Sequence, residues 1–136
     1  MIERANFVTT DLFEATTPGE HFINPRCFGE DFATWLRERL VSGAIETSEP
    51  IQEDFGWVLL LGRPPRRFTL ALGIMDESIG KVPATWRIDV SFERGLNGLR
   101  SWIGRPPVAE LDAVFERVRA VLSAEPRFHV SDEEPE

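Results

Sequence analysis

The sequence predicts an α+β protein: a mainly antiparallel sheet with a central three-stranded meander, and two amphipathic helices packed on one face. Three consecutive segments, 55–61, 68–75 and 86–93, alternate apolar and polar residues with the period of a strand. Two other segments repeat apolar residues with helical spacing. The chain has 136 residues, of which 42% are hydrophobic, enough to bury one core.

The elements before the meander are two short strands and a helix. Segments 5–9 and 20–24 are predicted strands, separated by turn-forming residues, and Asn24 and Pro25 end the second one. A helix is then expected from about Phe28 to Gly43, with acidic residues in its first turn, where the helix dipole favours them. Its apolar face consists of Phe28, Phe32, Trp35, Leu36 and Leu40.

The meander has one register that keeps its apolar residues together. If the turn at 62–67 closes the first hairpin, Leu61 pairs with Phe68, and Ile74 then pairs with Trp86 across the second hairpin. A slip of one residue would move each apolar set to the other face. The residues placed on one face are Phe55, Trp57, Leu59, Leu61, Phe68, Leu70, Leu72, Ile74, Trp86, Ile88, Val90 and Phe92.

The chain after the meander predicts a loop, a helix and a strand. The loop, 94–105, is rich in glycine but also carries Trp102 and Ile103. Pro106 and Pro107 suit the first turn of a helix that Pro126 ends, and a last strand is expected at 127–130. We therefore predict the order β-β-α-β-β-β-α-β, with a single domain at 1–130 and an acidic disordered tail at 131–136.

Composition limits the classes of function. The formal net charge of −8 and the isoelectric point near 4.8 argue against nucleic-acid binding and favour a neutral or basic partner. The lone Cys27 indicates a reducing, cytoplasmic location, and no signal peptide or membrane segment is evident. Two distant histidines without metal-ligand spacing predict no metal site, and no phosphate-binding motif or other sign of a cofactor is present.

The segment 53–57 is the best candidate for a site. Glu53, Asp54 and Gly56 interrupt the entrance to an apolar strand, next to Trp57, and glycine in a strand costs about 0.5–1 kcal/mol relative to alanine. Because adjacent strand residues point to opposite faces, Glu53 and Asp54 are not expected to act as one acid–base pair.

The predicted register places the candidate residues on the face of the sheet that the helices leave open. Gly56 lies beside Gly73 there, and Gly73 lies opposite Arg87, so the two glycines form a floor between Asp54 and Arg87, with Asp89 nearby. In a functional interpretation, Arg87 offers its planar donor fork to a carboxylate. In a structural one, Arg87 pairs with Asp54 or Asp89 and the glycines mark a bulge or a twist.

Two further candidates are weaker. His21 and Cys27 lie six residues apart around the predicted strand-to-helix turn. A thiolate at the start of the helix could be a nucleophile, but a lone cysteine is more often a small buried hydrophobic residue. Trp102 could anchor a partner or close one end of the core.

The absence of a catalytic signature favours a non-catalytic binding or regulatory protein, similar in role to an inhibitor or immunity protein. It would engage a protein partner through the open sheet face and the Trp102 loop. The alternative is a small-molecule-binding domain, or a minor enzyme, with a pocket near Asp54, Trp57 and Arg87. A concave pocket beside Arg87 would favour the alternative, and a flat apolar patch would favour a protein partner.

Overall fold

In the computed structural model, which describes residues 3–63, 66–92 and 108–135, the predicted fold class is confirmed. The described strands form one antiparallel sheet in the order β2-β3-β4-β5-β1-β6. The described residues also form two helices. A turn of 3-10 helix, Asp76–Ser78, follows β4. The bounds are β1 Glu3–Thr10, α1 Glu30–Ser42, β2 Ile51–Glu53, β3 Gly56–Arg63, β4 Arg66–Ile74, β5 Ala84–Phe92, α2 Val108–Ser123 and β6 His129–Ser131.

The meander has the predicted register. Leu61 pairs with Phe68 across β3 and β4, and Ile74 pairs with Trp86 across β4 and β5. Of the apolar residues assigned to this face, all except Phe55 are buried. The alternation of apolar and polar residues was sufficient to predict the register, because a slip of one residue would expose the whole set of apolar side chains.

Both helices pack on this apolar face. Helix α1 buries Phe32, Leu36 and Leu40 and packs against β3, and its end is closed by the Gly43 N–H, which donates to the carbonyls of Arg39 and Leu40. Helix α2 packs against β1 and β5 through Leu111, Phe115, Val118 and Leu122. The predicted start of this helix at Pro106 lies outside the described residues. The opposite face of the sheet is left without a helix among the described elements.

The predicted strand at 20–24 is wrong. These residues form turns and bends, because the Asn24 side chain bonds locally: its Oδ1 accepts the Arg26 N–H at 2.7 Å. The segment also has no edge of β1 to pair with, since β5 and β6 occupy both sides of that strand. The strand that the pattern missed is β2, a three-residue edge strand directly after Pro50.

The chain returns to the sheet at its C-terminal end. Strand β6 pairs with β1, with Ser131 opposite Phe7, and lies two residues later than the predicted start at 127. Ser131 Oγ then accepts the Glu133 N–H at 3.0 Å, which forms a local turn after the strand. The disorder predicted for 131–136 stays a prediction.

Candidate binding site on the open sheet face

Arg87 lies near the middle of the open face. It occupies β5 between Gly73 of β4 and Phe7 of β1. Asp89 follows two residues later and shares the face, because side chains alternate along a strand. The Arg87 guanidinium donates through Nη1 to Asp89 Oδ2 at 2.7 Å, and only 13% of the Asp89 side chain is exposed. An ion pair is therefore built into the open face.

A cavity of about 510 Å³ opens beside this ion pair. A second ion pair lies at the same cavity, where Arg26 Nη2 is 3.0 Å from Asp76 Oδ2. The cavity combines these charged groups with apolar surface from β4 and from the turn before β3. Its lining residues are Arg26, Phe55, Ala71, Gly73, Ile74, Met75, Asp76, Glu77, Arg87, Asp89 and Glu134.

The segment 53–57 forms a tight hairpin turn instead of a strand entrance. Glu53 ends β2 opposite Gly56, which begins β3, so Asp54 and Phe55 are the two residues of the turn. The predicted pairing of Phe55 with Ile74 is therefore wrong, and the Phe55 side chain is 42% exposed at the cavity. The Asp54 carbonyl accepts the Asn24 Nδ2–H at 2.8 Å, which connects the turn to the loop before α1.

The two glycines are explained by this turn. A Cβ added to Gly73 would lie 2.8 Å from the carbonyl oxygen of Phe55, and one added to Gly56 would overlap the carbonyl oxygen of Leu72. Gly56 also has a φ of 144°, which residues with side chains rarely adopt. The glycine pair therefore permits the close passage of the turn over β4, and this passage forms one wall of the cavity.

The structure gathers only some of the candidate residues. Gly73, Arg87 and Asp89 line the cavity, whereas Glu53, Asp54 and Gly56 belong to the turn and do not line it. Trp57 is a core residue whose Nε1–H donates to the Cys27 carbonyl at 3.0 Å. Trp102 lies outside the described residues.

The lining residues that the sequence did not indicate come from distant parts of the chain. Arg26 precedes α1, Asp76 and Glu77 belong to the 3-10 turn, and Glu134 follows β6. No local pattern connects these positions, so nothing in the sequence could have grouped them.

The C-terminal segment reaches the open face beside β1. Glu133, Glu134 and Pro135 line a second cavity of about 350 Å³ together with Phe7 and Thr9. Glu134 also lines the larger cavity next to Arg87. The acidic end of the chain therefore contributes a carboxylate to the open face.

His21 and Cys27 are not arranged as a nucleophile and its base. His21 Nε2 lies 3.2 Å from Glu30 Oε1, and its ring packs edge-on against Trp57. Cys27 is fully buried, with its Sγ 3.7 Å from the Glu53 carbonyl oxygen. The thiol is thus enclosed behind the turn that carries Asp54.

This burial predicts that Cys27 resists modification in the folded protein. We expect a thiol probe such as dithionitrobenzoate to react at least about 100-fold more slowly with the native protein than with the protein in guanidinium chloride, because access requires local unfolding. The measurement is the rate of absorbance change under both conditions. Equal rates would show that Cys27 is accessible and would reopen its role as a nucleophile.

Two classes of site are absent from the described part of the chain. Residues 3–63, 66–92 and 108–135 contain no group of three His, Cys, Asp or Glu side chains placed to hold a metal ion. Within the same ranges, neither helix has the length and apolar character needed to cross a membrane.

The fold and the site define an α+β protein with one sheet face covered by helices and an open face that carries a charged cavity. Comparison with protein-family models, with curated proteins and with solved structures gives no match.

Proposed function

We propose that this chain is a non-catalytic binding protein that engages a protein partner through the open face of its sheet. The observation that carries the proposal is the apolar surface exposed around the cavity beside Arg87, on a face against which neither described helix packs. Exposed apolar surface bordered by polar residues is typical of protein interaction sites. The two ion pairs and the apolar wall of this cavity fit that description.

Exposed apolar side chains at one end of the open face support a protein partner. Phe55 at the cavity and Ile51 on edge strand β2 are 42% and 39% exposed. Aromatic residues such as Phe55 are enriched at protein interfaces. The contribution of the Trp102 loop to the same surface stays a prediction.

A small-molecule ligand is the second candidate, and the cavity volume favours it. Pockets for such ligands typically measure about 300–1,000 Å³, a range that includes the observed cavity. A side chain that fills the cavity tests the site that both candidates share. The molecular mass of the captured species then distinguishes a protein partner from a small-molecule ligand.

The proposal predicts that a side chain added in the cavity abolishes partner capture. Ala71→Gln extends an uncharged side chain from the cavity wall, whereas Ala120→Gln places the same side chain on the exposed surface of α2. We expect immobilised wild-type protein and Ala120→Gln to retain the same partner from an extract of the source cells, and Ala71→Gln to retain at least about tenfold less, a loss of about 1.4 kcal/mol.

The readout is quantitative mass spectrometry of the eluates, with a thermal unfolding curve for each variant to show that it is folded. Retention of the partner by Ala71→Gln at the wild-type level would contradict the proposal. A retained species of low molecular mass, without a protein, would favour the second candidate.

A further inference from the structure

The charges of the described residues that line the open-face cavity do not balance. Arg87 is paired with Asp89 and Arg26 with Asp76, so each of these two described arginines at the cavity already has a carboxylate within 3.0 Å. Two further acidic residues line the cavity, Glu77 and Glu134. Both side chains are exposed, and neither has an ion pair with a residue in the described ranges. Among the described residues that line the cavity, two negative charges are therefore in surplus.

An anionic ligand would have to compete with carboxylates that the cavity already contains. The Arg87 Nη1 to Asp89 Oδ2 distance is 2.7 Å, and Asp89 is largely buried, so an anion that displaced this carboxylate would have to break a short ion pair. A cation meets no such competition, because Glu77 and Glu134 can approach it without breaking either ion pair.

The apolar part of the cavity fits the stem of a long basic side chain. The lining residues on this side of the cavity lie along β4 and directly after its end: Ala71, Gly73 and Met75. The half-exposed ring of Phe55 lines the same cavity. Lysine and arginine side chains place methylene groups against apolar surface while the charged head stays hydrated, and an aromatic ring attracts the head.

We propose that the cavity binds the arginine or lysine side chain of a basic segment in the partner protein. The inference rests on the proposed function, whose partner it defines by charge. The net charge of −8 attracts a basic segment over a distance, and Glu77 and Glu134 contact its charged head at the cavity. Phe55 and the wall formed by β4 contact its stem.

The test uses a free ligand that carries only the chemistry in question. We expect N-acetyl-argininamide to shift the backbone amide NMR signals of Ala71, Gly73 and Met75 in a saturable manner, with a Kd on the order of 1 mM for a ligand this small. N-acetyl-citrullinamide has nearly the same shape but no charge, and we expect it to bind at least about tenfold more weakly.

Two double variants separate the local carboxylates from the overall charge. We expect Glu77→Gln with Glu134→Gln to weaken argininamide binding at least about threefold. Glu110→Gln with Glu116→Gln removes the same charge from α2, away from the cavity, and we expect it to leave the Kd within about 1.5-fold of wild type, because salt screens distant charges.

The outcomes distinguish this inference from the proposed function. Equal binding of argininamide and citrullinamide, or no shift at the three amides, would overturn the inference that the cavity binds a basic side chain. In that case, loss of partner capture by Ala71→Gln would still support the proposed function. A selective response to argininamide together with undiminished capture by Ala71→Gln would support the cation site and contradict the protein-partner function.

Discussion

Gly56→Ala is expected to lower the free energy of unfolding by about 4 kcal/mol. The added Cβ would overlap the carbonyl oxygen of Leu72, which belongs to the backbone of β4 and cannot turn aside. The φ of 144° adds strain of its own. A strained backbone conformation and an overpacked contact each cost about 1–3 kcal/mol. Urea unfolding followed by tryptophan fluorescence measures the change.

Gly80→Ala is the matched control for Gly56→Ala. Gly80 also has a positive φ, 84°, but a Cβ added there has no atom within 4 Å. We expect a loss of only about 1–2 kcal/mol, the cost of the backbone conformation alone. Similar losses for the two variants would contradict the close passage of the 53–56 turn over β4, and with it the origin of one cavity wall.

Asn6→Leu is expected to raise the free energy of unfolding by about 2 kcal/mol. Asn6 lies on the covered face of β1 opposite Ile88 and is fully buried. Neither Oδ1 nor Nδ2 has a hydrogen-bond partner in the described part of the chain. A buried polar group without a partner costs about 1–3 kcal/mol, and leucine replaces the amide with the same number of heavy atoms.

Thr10→Val tests whether any gain at Asn6 reflects the missing hydrogen bonds. Thr10 is buried on the same strand, but its Oγ1 accepts the Leu12 N–H at 3.1 Å. We expect Thr10→Val to lose about 1 kcal/mol, because the exchange removes a satisfied bond. Unfolding in urea, with an unchanged m value, is the measurement. A less stable Asn6→Leu variant would contradict the interpretation of Asn6 as an unsatisfied core amide.

The meander could be predicted because its signal is local and repeated. Each pairing, such as Leu59 with Leu70 or Leu72 with Ile88, follows from one register that buries every apolar side chain at once. The prediction was wrong at Phe55, because the alternation of apolar and polar residues continues into the turn. The pattern therefore does not indicate where the strand begins. Strand β2 could not be predicted, because its three residues are too few to form a periodic pattern.

The candidate site was predicted in part for the same reason. Gly73, Arg87 and Asp89 lie within the meander, so their common face and their adjacency followed from the register. The expected position of Asp54, across the glycine floor from Arg87, depends on extending the strand through residue 54. The hairpin turn moves Asp54 out of the cavity and brings Phe55 into it.

By itself, the sequence determined the fold class, the helices and the face on which Arg87 and Asp89 lie, because these depend on spacing between near neighbours. Only the tertiary structure decided that Arg26, Asp76 and Glu134 meet at one cavity on that face. These residues are separated by tens of positions. Their proximity depends on how the loop before α1 and the segment after β6 pack against the sheet, which no local periodicity encodes.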